Sequence, residues 1–531
     1  MAYINVLSRR DFLSHTLRTG AALGLASLTQ VPPFARRALA ESGIGLNGKK
    51  LLFIFLRGAN DALNSLIPIR DSSYSLVNRP NLFITSDAGT NYATTGPCDF
   101  PTGLSSTFSY ADGIRSGNGF AALHPSLKFL APVYNAGDLA LIHRVGYPRQ
   151  SRSHFDSQAY WETGEPNSSG REGIFYRTLV ESGLPTSNPL SGVSIQSGLP
   201  TLLKGSQAAL TNLSDPTRYD LLGLPHAAAT GDRKAMNAIL AAQPAKFGDK
   251  RSRTLLELQY QNMVSTLNLF ATIDFTEAGN TFQDNGITDG AGSSAYSLFP
   301  TTNAKNGGGT LSKYVVDAGA YSFFEQLKGA ALILNNTDAV IAGTEMTGFD
   351  THNNQGGANG AGTFNSQHAN LLTRVGWAIY ALRKYFKTYN NKVDWNNLVV
   401  VTLTEFGRTS IQNTSNGTDH AEGGMMLVAG GGVKGYQKNG RPSGIYACHP
   451  TDSIPWVTGP AGSMFGVAGR YLQRAVDYRS VLGEIIRDHL GASTDQLGRI
   501  IPGYTTPGEH LQFGGVSSGD STSILGELDV V

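Results

Sequence analysis

Runs of consecutive apolar residues recur along the chain, each closed by polar or turn-forming residues. The first, Leu51-Leu52-Phe53-Ile54-Phe55-Leu56, ends in Arg57-Gly58-Ala59-Asn60-Asp61. Others lie at Leu139–Val145, Ala339–Glu345, Leu398–Thr404 and Met425–Ala429. An unbroken apolar run of this length predicts a strand buried on both faces, since a half-exposed strand alternates. Elsewhere the period changes. Leu371, Val375, Ile379, Leu382 and Phe386 recur at three- and four-residue spacings, which predicts a helix with one apolar face. Further helices are predicted over Arg253–Ile273 and Tyr321–Leu334. Strands alternating with long helices predict an α/β fold with a mostly parallel central sheet and helices on both faces. Two stretches rich in Gly, Ser, Thr and Asn, Glu277–Thr310 and Gly503–Asp520, read as surface loops or a tail.

The chain has 531 residues, 15% charged and 40% hydrophobic, with formal net charge +2. That length allows two to four domains, or one large α/β domain with insertions. Weak net charge and many aromatics exclude a disordered chain. Lys and Arg are scattered, so no basic stripe points to nucleic acid. The absence of a run of about 18 apolar residues excludes a multi-span membrane protein and an integral anchor.

The first forty residues read as a signal. Ser8-Arg9-Arg10-Asp11-Phe12-Leu13 matches the twin-arginine export pattern, followed by an apolar stretch, Ala21 to Leu28, and small residues at Ala38-Leu39-Ala40. The alternative for this stretch is an amphipathic N-terminal helix. Removing its five Arg and one Asp leaves 37 basic and 39 acidic residues, so the basic excess belongs to the signal. The twin-arginine translocase is then the export partner, and the destination is periplasmic or secreted. The expected organisation is a signal at 1–40, an α/β domain at 41–502 with a loop insertion near 277–310, and a tail at 503–531. Cys98 and Cys448 are the only cysteines. They either pair in an oxidising compartment or stay as two buried thiols.

Candidate chemistry clusters just beyond the predicted strands, where open α/β sheets bind ligands. Asp61 follows the first strand. Asp350 and His352 follow the strand ending near Glu345, and Glu405 and Arg408 follow Leu398–Thr404. Asp419 and His420 precede Met425–Ala429. Carboxylates and imidazoles converging from separate strand ends form a ligand set for one or two divalent cations. Mixed Asp, Glu and His suit Zn²⁺ or Mn²⁺, whereas oxygen-dominated sets suit Mg²⁺ or Ca²⁺. Ser151-Arg152-Ser153-His154-Phe155-Asp156 begins a predicted helix. There Ser153 and Asp156 fit a capping box, and the same helix mouth suits a nucleophilic Ser153 beside a bound anion. Gly430-Gly431-Gly432-Val433-Lys434-Gly435 satisfies a dinucleotide-type glycine spacing, but Tyr436 to Pro442 cannot open the required helix, so that reading is rejected.

Several segments together resemble domain-of-unknown-function family 1501. They are Leu56 to Asn64, His124-Pro125-Ser126-Leu127, Ser153-His154-Phe155, Glu162-Thr163-Gly164, Gly348 to His352, Glu405 to Arg408 and Gly417 to His420. The resemblance implies a twin-arginine-exported relative of the sulfatases and the alkaline phosphatase superfamily. It implies Ser153 as nucleophile, Asp350, His352 and His420 as ligands of one metal, and Asp61 and Glu405 as ligands of another. The expected function is a metal-dependent hydrolase of phosphate or sulfate esters, with Arg408 or Arg152 clamping the non-bridging oxygens. Its substrate is expected to be a small anionic ester or one derived from a polysaccharide. The alternative is a non-catalytic binding or surface-assembly protein on the same fold.

Overall fold

The computed structural model describes residues 43–86, 112–216, 266–275, 282–284, 295–302, 312–356 and 367–531. It is interrupted at 441–442, at 459–470 and at single positions or pairs within the other stretches. The twin-arginine segment, Cys98, most of the helix expected over Arg253–Ile273 and most of the glycine-rich insertion lie outside the described residues.

Among the described residues the main sheet has nine strands. They are β1 (Lys50–Leu56), β2 (Leu139–Gly146), β3 (Gly192–Ile195), β4 (Thr211–Leu213), β5 (Ile341–Met346), β6 (Leu398–Leu403), β7 (Gly424–Ala429), β8 (Ile445–Tyr446) and β9 (Val476–Asp477). Their order is β8-β2-β7-β6-β1-β5-β3-β4, with β9 also pairing with β2. Only β7 is reversed, antiparallel to both β6 and β2; all other pairings in this sheet are parallel. The sheet is therefore mixed but mostly parallel, and each of the five predicted strands is present.

Among the described residues, six α-helices of seven residues or more frame it: α1 (His154–Thr163), α2 (Ile174–Ser182), α3 (Tyr321–Asn336), α4 (Gln367–Thr388), α5 (Tyr478–Glu484) and α6 (Thr494–Ile500). The apolar run of β1 explains their distribution. Leu52, Ile54 and Leu56 face a core shared with α3 and α4. Leu51, Phe53 and Phe55 face a second core with α2, α5, α6 and Trp161 of α1. Each such side chain contributes roughly 1.5–3 kcal/mol by leaving water, so an alternating pattern would have forfeited one layer. No helix among the described residues is long and apolar enough to cross a membrane.

Two segments read from composition as loops or tail contribute to the interior. Leu298 and Phe299, inside the glycine-rich insertion, are buried, and the Leu298 carbonyl accepts Trp377 Nε1 at 3.1 Å. Residues 503–531 lie along the domain with Leu511, Ile524 and Val530 buried. Their end is held by Glu484, whose carboxylate accepts the backbone N–H groups of Leu528, Asp529, Val530 and Val531. Composition reports the polar majority of such a segment and misses its few anchoring side chains. The glycines at 430–435 form a turn leading to a three-residue 3-10 turn, Lys438–Gly440, and no helix opens there.

Four buried histidines have depressed pKa values because burial disfavours the imidazolium: His124, His143 at about 3, His368 at about 4 and His489 at about 4. The unfolded chain protonates these rings near pH 6.5, and the folded one holds them neutral to far lower pH. Their contribution is fully present above about pH 6.5 and is lost as pH falls toward 4. Melting temperature should accordingly drop by several degrees between pH 7.5 and pH 5. His489 donates Nε2–H to the Lys50 carbonyl at 2.8 Å, so His489→Gln, which keeps a donor, should shrink the drop. An unchanged melting temperature across that interval contradicts the assignment.

Candidate metal centre at the carboxyl edge of the sheet

The chain segments leaving β1, β2, β5 and β6 and entering the reversed strand β7 meet at one edge. Because β7 runs backwards, its beginning lies beside the end of β6, and their hairpin continues beyond the sheet. Arg408 bridges His420 there, Thr409 N donates to the Asp419 carbonyl at 3.0 Å, and Ala421 N donates to the Gly407 carbonyl at 3.0 Å. This extension carries His420 over the strand ends. His352 is brought alongside by Thr418 N on the Thr351 carbonyl at 3.2 Å and by Asn413 Nδ2 on the His352 carbonyl at 3.0 Å. His154 is the first residue of α1, set by the Ser153 cap.

Three imidazoles converge on one carboxylate oxygen. His352 Nε2 lies 3.2 Å from Asp350 Oδ1, His420 Nε2 3.3 Å and His154 Nε2 3.5 Å. His352 Nε2 and His420 Nε2 are 2.9 Å apart. The outer nitrogen of each ring faces an acceptor: His154 Nδ1 faces Glu405 Oε1 at 2.9 Å, His352 Nδ1 faces Asp419 Oδ1 at 3.1 Å, and His420 Nδ1 faces the Arg152 carbonyl at 2.8 Å. A carbonyl or ionised carboxylate only accepts, so each Nδ1 donates and each Nε2 turns its lone pair inward. Lone pairs facing one another need a cation between them, a proton or a metal ion. Buried His154 Nε2 has no hydrogen-bond partner among the described residues. Tetrahedral ligands at about 2.0–2.1 Å from zinc stand roughly 3.3–3.4 Å apart, close to the separations of the imidazole nitrogens from Asp350 Oδ1, and the ligand atoms of His154, Asp350 and His420 all lie within 4.8 Å of one another. The residues present therefore fit a divalent transition metal. The Asp350 and His352 side chains, 47% and 37% exposed, leave the centre open to solvent.

Electrostatics agree with that geometry. Partial burial opposes ionisation of Asp350, but the Arg408 hydrogen bond and charge outweigh it, with help from His352 and His154, and hold its pKa at about 2. The Glu405 hydrogen bond raises His154, whereas burial lowers His420. Burial also works against the Glu405 carboxylate, yet hydrogen bonds from His154, Gln158 and Gly58 leave its pKa below the ordinary value.

Four of the residues expected in the site have other roles here. Glu405 and Asp419, expected as ligands, hold the outer nitrogens of His154 and His352 instead of lining the centre. Asp61, also expected as a ligand, is fully buried and caps the turn Ala62–Asn64. It pairs with Arg79 at 2.8 Å and accepts Gln355 Nε2 at 2.6 Å, so its oxygens are spent away from the imidazoles. Arg408, expected as an anion clamp, is buried and gives its guanidinium to the carbonyls of Gly58, Ala59, Phe349 and Thr418 and to Asp350.

Arg152 is exposed, with its guanidinium 4.5 Å from the Tyr471 ring centroid. Ser153 caps α1, its Oγ accepting Asp156 N at 3.4 Å. The capping box is relayed, because Asp156 reaches Ser151 Oγ, which accepts Ser153 N. His154 was not expected as a ligand, although it directly follows a cap one turn beyond a strand. That position was the signal available.

The fold and centre define an α/β protein whose histidines and carboxylates gather at the carboxyl edge of a mostly parallel sheet. The chain belongs to the family described as Protein of unknown function (DUF1501), which matches residues 48–444 and so includes every residue of the centre. No curated protein and no solved structure matches the chain.

Gly58 tests how tightly the edge is built. Its φ is +111°, and a Cβ there would lie 2.3 Å from Asp350 N and 2.8 Å from the Phe349 carbonyl carbon. Both obstacles are backbone and cannot swing away. Gly58→Ala should therefore cost about 2 kcal/mol or more in unfolding free energy and displace Asp350. Denaturant unfolding at wild-type stability would contradict this packing.

Proposed function

We propose that Asp350, His154, His352 and His420 hold one divalent transition-metal ion. We further propose that the protein is a metal-dependent hydrolase of phosphate or sulfate esters, of the sulfatase and alkaline phosphatase kind. The observation that carries this reading is the orientation of three imidazoles. Each is fixed through Nδ1 by an acceptor and turns Nε2 toward a single carboxylate oxygen, an arrangement that metal-binding histidines share. Three nitrogens and one oxygen favour Zn²⁺ or Mn²⁺ over Ca²⁺ or Mg²⁺. A bound ion supplies Lewis acidity and positive charge against an anionic ester. Ser153, adjacent in sequence to His154, stands at the mouth of α1, where free N–H groups and the helix dipole favour an anion. Exposed Arg152 is the cation beside it. The first forty residues make the destination periplasmic or secreted, by way of the twin-arginine translocase.

The commitment of Arg408 and Asp61 to internal contacts favours a second reading, a binding or surface-assembly protein that keeps a structural cation. Ester turnover separates the two.

Metal analysis of the purified protein should find one transition-metal ion per chain. His154→Ala and His420→Ala should each lose it and melt at lower temperature, because a ligand bound only by the folded form stabilises that form. Glu405→Gln should retain the ion with affinity lowered about 10–100-fold. Wild-type protein that takes up no divalent ion after reconstitution would overturn the centre.

Ser153→Ala should abolish turnover of a phosphate or sulfate ester that the wild type hydrolyses. Metal content should persist, and the lost cap should cost only ~1 kcal/mol. Full activity in that variant would remove Ser153 as nucleophile.

A further inference from the structure

Beside the centre lies an open cleft of about 430 Å³, bounded by the residues that leave β1, β3 and β5 and by one side of α1. Its walls include Arg57, Gln158, Glu162, Gln196, Lys204 and Glu345. Gln158 is common to cleft and centre. Its Nε2 donates to Glu405 Oε1 at 3.0 Å, the same oxygen that faces His154 Nδ1.

The charges of the walls cancel. Arg57 sits between two carboxylates, 2.7 Å from Glu162 and 2.9 Å from Glu345, and exposed Lys204 brings the formal charge of the walls to zero. The walls therefore carry no net charge that would favour an anionic or a cationic occupant. Leu199 and Pro200 are the apolar side chains among the lining residues, too few to hold an aromatic or aliphatic group. What the walls do offer is a buried acceptor. Gln196 is 3% exposed and its Oε1 has no hydrogen-bond partner among the described residues. Leaving such an oxygen unsatisfied costs about 1–3 kcal/mol, which a hydroxyl donor from a ligand removes.

We propose that this cleft is a subsite for an uncharged, hydroxyl-rich group, a sugar or polyol, forming the alcohol portion of the ester whose anionic group meets the centre. The proposal rests on the hydrolase reading for the ester, and equilibrium binding keeps the two separable. The metal-loaded protein is titrated with glucose, galactose, mannose, N-acetylglucosamine, maltose and cellobiose, followed by calorimetry and saturation-transfer NMR. At least one should bind saturably. Gln196→Leu should weaken that binding about tenfold or more. Ser197→Trp, a change at an exposed lining position that does not threaten folding, should block it. His420→Ala should leave it in place while removing the metal.

Sugar binding that persists when no ester is turned over would sink the hydrolase reading and leave the subsite standing. No saturable binding to any of the six sugars would overturn the subsite, and so would binding indifferent to both cleft variants. Binding lost in His420→Ala would likewise move the sugar out of the cleft and onto the centre.

Discussion

The guanidinium of Arg408 lies buried at the carboxyl edge and joins loops that belong to different strands. It donates to Gly58 and Ala59 beyond β1, to Phe349 and Asp350 beyond β5, and to Thr418 ahead of β7. Without it, four carbonyls would lose a buried donor, each loss costing about 1–3 kcal/mol, and Asp350 would lose the hydrogen bond and charge that hold its pKa down. A lysine could not substitute, because one ammonium cannot span that fan of acceptors as a planar fork does. The position of Asp350, and with it the point on which the imidazoles converge, follows from this one side chain.

A second buried cation supports the same loops from below. Arg79 pairs with Asp61 and donates to the carbonyls of Thr409 and Ser410. Gln355 then links Asp61 to Thr351 and Thr418, which flank His352 and His420 in sequence. Taking two charges out of water is costly, and such pairs rarely add net stability compared with apolar residues of equal size. Their effect here is positional. Every hydrogen bond in the network selects one arrangement of the loops, and those loops carry the imidazoles.

Five of the nine strands and two of the helices were legible in the hydrophobic pattern, because burial on both faces demands unbroken apolar runs and burial of one helix face demands a three-to-four spacing; α1 was legible from its cap, and the short strands toward the sheet edges were not. Reversal of β7 left no mark in its composition, since a central strand is apolar in either direction. The site was half legible. Asp350, His352 and His420 stood out because they follow or precede strands, and the structure brings them together; Asp61 and Glu405 share that placement, yet Asp61 pairs with Arg79 and Glu405 faces the outer nitrogen of His154. Proximity to a strand end says where a side chain starts and nothing about which way it points. His154 was hidden by the opposite circumstance, a ligand-like residue inside a segment whose Ser153 and Asp156 already had a capping explanation.

The position of β1 in the sheet has a consequence for how the chain is made. Leu51 pairs on one side with Ile341 and on the other with Val399, 290 and 348 residues later. The central strand emerges first and acquires its neighbours last. Contacts so distant in sequence fold slowly, since a long loop must close before either edge of the strand is satisfied. For that interval Leu51 to Leu56 is an unpaired apolar strand with both edges open, the kind of segment on which chains aggregate. Synthesis of this protein is therefore a problem of waiting, in which an early strand must be shielded until the second half of the chain arrives.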